Sequence, residues 1–230
     1  MDLAPWGSPR VLARLGGHRN EVFRLEGDLV ARRSRRSTAS LEWELTLLDH
    51  LGRNGFLVPE VVPADGRSHV DGVVVQRWLP GHEPVDWAPV VAELRRLHEL
   101  MVGWPPRPDL PGTRDLLTLD RGGDVDLTAM PDEAVETCRA AWRALDGPST
   151  VVHGDPCAAN VRVDGDRVGF LDWDEARLDH PWLDLGDIPD IPDMGLPPAA
   201  RAAVDAWEAA NGWLVEPHYA RVRLARIACG

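Results

Sequence analysis

Two stretches in the second half of the chain, VVHGDPCAANV at 151–161 and VGFLDWD at 168–174, confine it to a particular local geometry. Their apolar runs, VV, VRV and VGFL, are too short for helices. They are separated by polar residues and by Asp164-Gly165, a dipeptide suited to a two-residue hairpin turn. The pattern predicts loops carried on small strands. On those loops Asp155 precedes Asn160 by five residues, and Asp172 follows Asn160 by twelve, at the end of an apolar strand.

The flanking segments divide by periodicity. VLARL, EVFRLEG and DLVARR at 11–33 read as short strands broken by glycines, with Gly27-Asp28 as a hairpin turn. From Ser40 to about Arg53, Leu41, Glu44, Leu45, Leu48 and Leu51 recur at helical spacing. Val58 to Val62 and then GVVVQRW resume the strand pattern, and Pro80-Gly81 ends it. Beyond that break, 86–101, 131–145, 198–211 and 216–228 read as helices, and WPPRPDLPGTRD at 104–115 as loop. The expected organisation is an N-terminal antiparallel sheet lobe at 1–79, a connecting segment near 76–81, and a mainly helical C-terminal lobe at 82–230 that carries the 151–174 loops.

Composition narrows the possible partners. With 44% hydrophobic residues, the chain can bury a substantial core. A net charge of -12 argues against nucleic-acid binding, which needs clustered basic side chains. Residues 109–196 hold 20 Asp or Glu against 7 Arg, a balance that would suit a cationic small molecule and would equally serve solubility. No apolar stretch approaches the roughly 20 residues of a membrane span, and the N-terminus lacks a signal-like layout, so no membrane partner is expected and a cytoplasmic location is. Cys138, Cys157 and Cys229 form no CxxC pair and fit reduced thiols. All 25 basic side chains are arginine, so any role usually given to a lysine must be met another way.

Phosphoryl transfer asks a protein for a carboxylate at the acceptor hydroxyl, oxygen ligands for magnesium and a cation on the nucleotide phosphates. The interval from Asp155 to Asn160 matches that between the catalytic Asp and the metal-binding Asn of the protein-kinase pattern HRDxxxxN. Asp172 follows an apolar strand as the Asp of a kinase DFG does. HGDxxxxN, then DWD, then PxxDL at Pro181–Leu185 resembles the aminoglycoside phosphotransferase family, which includes choline, homoserine and antibiotic kinases.

The resemblance implies an α+β, bilobal, protein-kinase-like fold and an ATP- and Mg2+-dependent transfer to a hydroxyl of a small molecule. Asp155 would accept or orient the acceptor hydroxyl, Asn160 and Asp172 would bind magnesium, His153 would brace the loop and Asp174 would support it. Arg32 would stand where relatives carry a phosphate-binding lysine, with Glu44 as its helix partner and Arg33 as a rival. Gly16 and Gly17 would belong to the loop over the phosphates, and Gln76, Arg77 and Trp78 to the segment facing adenine. A second reading is a nucleotide-binding regulatory module without transfer activity, motivated by the absent lysine and the incomplete glycine loop.

Several features have simpler explanations. Trp43, Trp87, Trp142 and Trp207 lie in helical patterns and read as packing residues. His98, in RRLHEL, reads as structural. His153, Asp155 and Cys157 crowd one loop, but no second ligand pair stands at zinc spacing. Only six residues separate Asp174 from Pro181, too few for the long activation segment of a kinase acting on proteins.

Overall fold

The computed structural model describes residues 1–15, 20–189 and 195–229, with side chains as far as residue 227. In chain order the strands and helices are β1 (Val11–Leu15), β2 (Glu21–Leu25), β3 (Leu29–Arg33), α1 (Thr38–Arg53), β4 (Val73–Arg77), α2 (Ala88–Leu100), β5 (Arg121–Gly122), β6 (Val125–Asp126) and α3 (Asp132–Arg143). They continue as β7 (Thr150–Val152), β8 (Val161–Asp164), β9 (Arg167–Phe170), β10 (Arg177–Asp179), α4 (Trp182–Leu185), α5 (Pro198–Gly212) and α6 (Pro217–Cys229). The fold is α+β and protein-kinase-like, an antiparallel sheet followed by a mainly helical part. No helix among the described residues is long and apolar enough to cross a membrane.

The described residues form two compact units, one of 1–84 with 157–174, the other of 85–156 with 175–230. The first is built on an antiparallel sheet in the order β1-β2-β3-β4. The β2–β3 turn uses Gly27 and Asp28 at φ 79° and 55°, a left-handed pair suited to a tight hairpin. One face of the sheet buries Leu25, Ala31 and Val75, with Phe23, Leu29 and Val62 packed around them. Helix α1 starts where the Ser37 hydroxyl accepts the Ser40 amide, satisfying one otherwise orphaned donor. Its buried face carries Leu41, Leu45, Leu48 and, among them, the charged Glu44.

Val58–Val62 does not form the expected strand. Leu57 and Val61 make isolated bridges to Gly169 and Gln76. Pro59 and Pro63 lack amide donors, so a continuous ladder cannot pass through the segment. The β8–β9 hairpin completes this unit, turning at Asp164-Gly165.

In the second unit, α3, α5 and α6 enclose a core of Leu116, Leu127, Cys138, Trp142, Val204 and Trp207. Ala200, Ala203, Ala206, Ala209 and Ala210 line the buried side of α5, and small side chains permit close helix approach. Burial pushes the Cys138 thiol up to about 12, so it stays protonated in that core, whereas Cys157 is exposed. The small β7–β10 sheet carries the start of the HGD loop.

Candidate active site

Within the first unit, a hairpin explains the twelve-residue interval between Asn160 and Asp172. Val161 pairs with Phe170 and Asp164 with Arg167, so both ends of the hairpin return to one place. The Leu171 amide donates to the Asn160 carbonyl at 2.7 Å, which puts Asn160 opposite the residue before Asp172. Asn160 closes a short 3-10 turn, Ala158–Asn160. Asp172 is exposed and has φ 54°, a left-handed conformation that aspartate tolerates better than most residues. Trp173 is buried, donating its indole N–H to Phe170 O at 3.1 Å and packing edge-on against that ring. Because Trp173 is anchored, the carboxylates on either side of it are fixed in direction.

Arg32 lies on β3 and Glu44 on α1, and they form a buried ion pair through Arg32 Nη2 and Glu44 Oε1. Burial works against the Arg32 charge, yet Glu44, Asp174 and Asp172 outweigh it and hold the guanidinium pKa above its ordinary value. Arg32 is thus electrostatically adjacent to the DWD turn. Its Nη1 is buried with no hydrogen-bond partner among the described residues. Arg33, one residue on, points to the other face of the strand and reaches Asp71 O at 3.4 Å near the surface.

Asp174 is buried and accepts from Arg36 Nη2 at 2.8 Å. Arg36 carries no sequence signal beyond lying in an arginine-rich loop. The amides of Arg77 and Trp78 already donate to Glu60 O and Asp28 O, both at 2.8 Å, so contacts from these two residues to a ligand would use their carbonyls. Gln76 is buried, and Trp78 lies under the Arg24 guanidinium at 4.1 Å. Gly16 and Gly17 lie outside the described residues.

In the second unit, the fully buried Asp184 organises the HGD loop. Its Oδ2 accepts the His153 amide at 2.9 Å and meets His98 Nε2 at 2.8 Å, while its Oδ1 accepts the Gly154 amide at 2.8 Å. Burial alone would raise the Asp184 pKa, but the His98 hydrogen bond, the charges of His98 and His153, and the Gly154 amide together hold it below the usual carboxylate range. The Asp155 amide lies 3.3 Å from His153 Nδ1, so the buried imidazole braces the loop at Asp155. Gly154 sits at φ 93°, and a Cβ there would come within 2.5 Å of Glu175 O.

Two further carboxylates surround this loop in the second unit. Glu175 accepts from Asn211 Nδ2 at 3.0 Å and Trp207 Nε1 at 3.3 Å. Glu208 accepts from the Tyr219 hydroxyl at 3.0 Å, and burial first, with the charges of Asp155 and Asp187, raises its pKa. The buried Arg177 guanidinium stacks 3.3 Å from the Trp207 ring centroid and is pinned by Asp179 at 2.9 Å. Burial lowers its pKa from the ordinary arginine value.

The sequence profile of the family described as "Phosphotransferase enzyme family", APH, matches residues 10–224, nearly the whole chain. The chain belongs to this family.

Its fold is shared by solved phosphotransferases of low identity. A choline/ethanolamine kinase family protein from Mesorhizobium loti is 22% identical, with 96% of this chain and 88% of that one covered and a TM-score of 0.58. A thermostable APH(4)-Ia mutant in a ternary complex with AMP-PNP and hygromycin B is 14% identical over 99% of this chain and 95% of that one, TM-score 0.66. The amicoumacin kinase hAmiN, in complex with AMP-PNP, Ca2+ and Ami, is 15% identical over 94% and 79%, TM-score 0.64. No curated protein matches at the level of sequence.

Asn160 and Asp172 are the residues of the hairpin end that could hold a metal ion. Among the described residues no group of three or more His, Cys, Asp and Glu is arranged to hold an ion. Asn160 and Asp172 at one hairpin end are an amide and a carboxylate, and Mg2+ is commonly held by one or two protein oxygens together with substrate phosphates and water. The buried Arg32 Nη1 without an acceptor fits an anionic ligand.

Proposed function

We propose that this family member transfers the γ-phosphate of ATP to a hydroxyl of a small, positively charged molecule. The observation that carries the reading is the first unit's cluster: Arg32 paired with Glu44, adjacent in charge to Asp172 and Asp174, at the hairpin end that also bears Asn160. That one unit supplies a cation for the phosphates and oxygen ligands for magnesium, which are two of the three demands of phosphoryl transfer.

Glu44 spends one arm of Arg32 and so directs the other, Nη1, toward an anion. A buried donor without an acceptor costs about 1–3 kcal/mol, and a phosphate oxygen would relieve that cost. Asn160 and Asp172 would hold Mg2+, which neutralises charge developing on the phosphate oxygens when bound. Asp155, set by His153 and by the amides clamped on Asp184, would orient the acceptor hydroxyl and take its proton during direct in-line transfer. Glu208 supports a cationic acceptor: it is a half-buried carboxylate in the field of Asp155 as well as of Arg223, it accepts from the Tyr219 hydroxyl, and an ammonium group would be attracted to it.

The test is ATP turnover across a panel of aminoglycosides, amino alcohols, macrolides and neutral sugars, with wild type and Asp155→Asn. Turnover on an amine-bearing acceptor that Asp155→Asn abolishes is the expected result. Asp155→Asn at wild-type rate would remove Asp155 from the mechanism. Stabilisation by Mg-ATP without turnover on any acceptor would favour a nucleotide-binding module.

A further inference from the structure

We infer that Arg223 is a specificity-determining residue: an internal guanidinium among Asp187, Asp205 and Glu208, it leaves Glu208 for one ammonium and so selects acceptors with a single amine over polyamines. This rests on the phosphoryl transfer to a cationic acceptor proposed above.

The four residues come from three places in the second unit. Asp187 follows α4, Asp205 and Glu208 stand one turn apart on α5 and share a face of it, and Arg223 lies on α6, which packs along α5. The Arg223 side chain is 4% exposed. Its Nη1 and Nη2 donate to Asp187 Oδ1 and Oδ2 at 3.3 and 3.0 Å, a two-pronged grip. Its Nε lies 2.9 Å from Asp205 Oδ1, an ion pair without hydrogen-bond alignment. Burial works against the Arg223 charge, yet the bond to Asp187 and the charges of Asp187 and Asp205 outweigh it and hold the pKa above its ordinary value.

The three carboxylates are therefore not equivalent. Asp187 and Asp205 are each met by Arg223, and Arg226 approaches Asp205 from the surface at 3.7 Å. Glu208 makes no ion pair among the described residues. It accepts from the Tyr219 hydroxyl at 3.0 Å, and Arg223 reaches it through its field. Asp155 also acts electrostatically on Glu208, which links the trio to the residue assigned to the acceptor hydroxyl. One ammonium beside Glu208 meets a carboxylate that no arginine has bonded. A second would meet the Arg223 guanidinium, and like charges in partly buried surroundings are poorly screened.

The test is initial rates of wild type, Arg223→Lys, Arg223→Met and Asp187→Asn at saturating ATP, on acceptors paired by ammonium count. Ethanolamine is set against 2-(3-aminopropylamino)ethanol, and a single-amine macrolide against a polyamine aminoglycoside. Melting temperatures are recorded in parallel. Wild type should have a kcat/KM at least about tenfold higher for the single-amine member of a pair. Arg223→Met should shift that preference about tenfold toward the polyamine, through KM, and Arg223→Lys, which keeps the charge, should stay within about threefold of wild type. Loosened packing alone would lower the melting temperature and move both members of a pair alike. Asp187→Asn serves where Arg223→Met does not fold, because the Asp187 side chain is 64% exposed. Its loss leaves more of the Arg223 charge uncompensated, so the single-amine preference should sharpen about threefold. A wild type without that preference overturns the role of Arg223 and leaves phosphoryl transfer standing. So does an Arg223→Met preference within about twofold of wild type or, where that variant does not fold, an unchanged one in Asp187→Asn. Turnover on no amine-bearing acceptor would overturn the cationic-acceptor reading itself, and the role of Arg223 with it.

Discussion

Arg32 on β3 and Glu44 on α1 share a buried ion pair in which Nη2 is committed to the carboxylate and Nη1 has no acceptor among the described residues. Removing one member of such a pair strands a desolvated charge. Glu44→Gln should therefore cost about 3 kcal/mol of stability, read by urea unfolding. Arg32→Lys keeps the charge but loses the fork, so it should hold Mg-nucleotide better than Arg32→Met and less well than wild type. Equal nucleotide affinity in all three proteins would detach Arg32 from the phosphates.

Asp184 carries a pH dependence whose direction follows from its surroundings. Its pKa in the folded chain lies below the ordinary value of 3.8, so the folded state binds fewer protons there than the unfolded state. The stability it supplies is present above that ordinary value and is lost as pH falls from there toward the folded pKa. Asp184→Asn should be less stable than wild type at pH 7, and the gap should narrow on acidification toward pH 3. Melting curves at the two pH values decide it; a gap that widens in acid contradicts the assignment.

Much of this arrangement was legible in the sequence, and what was not has a common physical cause. The hairpin that unites Asn160 and Asp172 is local, signalled by Asp164-Gly165 between short apolar runs, and helix α1 follows from its leucine spacing. Pro181–Leu185 was visible as a pattern, but the role of Asp184 as acceptor for two loop amides was not. Arg36 with Asp174, Glu175 with Asn211 and Glu208 with Tyr219 join residues from separate elements, where no periodicity marks the partner. Val58–Val62 misled because β-branched residues outnumber the two prolines that deny it a ladder.

Gly154 is required by geometry rather than by chemistry. At φ 93° and with Glu175 O 2.5 Å from where a Cβ would stand, alanine meets both backbone strain and a main-chain clash. Gly154→Ala should lose about 2 kcal/mol or more in denaturant unfolding, and the displaced loop should reduce turnover further than stability alone accounts for. Unfolding midpoints and initial rates measured on the same preparation separate the two effects.

Glu208 gives the acceptor side its sharpest prediction. Burial and the charges of Asp155 and Asp187 raise its pKa, so the carboxylate ionises at higher pH than an exposed glutamate. An ammonium-bearing acceptor binds the ionised form, so its KM should fall as pH rises through the raised Glu208 pKa, while the KM of a neutral acceptor should not share that trend. Glu208→Gln removes the titrating group and keeps the shape and the hydrogen bond to Tyr219. It should raise KM for the cationic acceptor about tenfold with a smaller change in kcat, and flatten that part of the pH profile. If Glu208→Gln lowers kcat and leaves KM and its pH dependence as in wild type, Glu208 serves the chemistry or the packing around Asp155 and does not read the acceptor's charge.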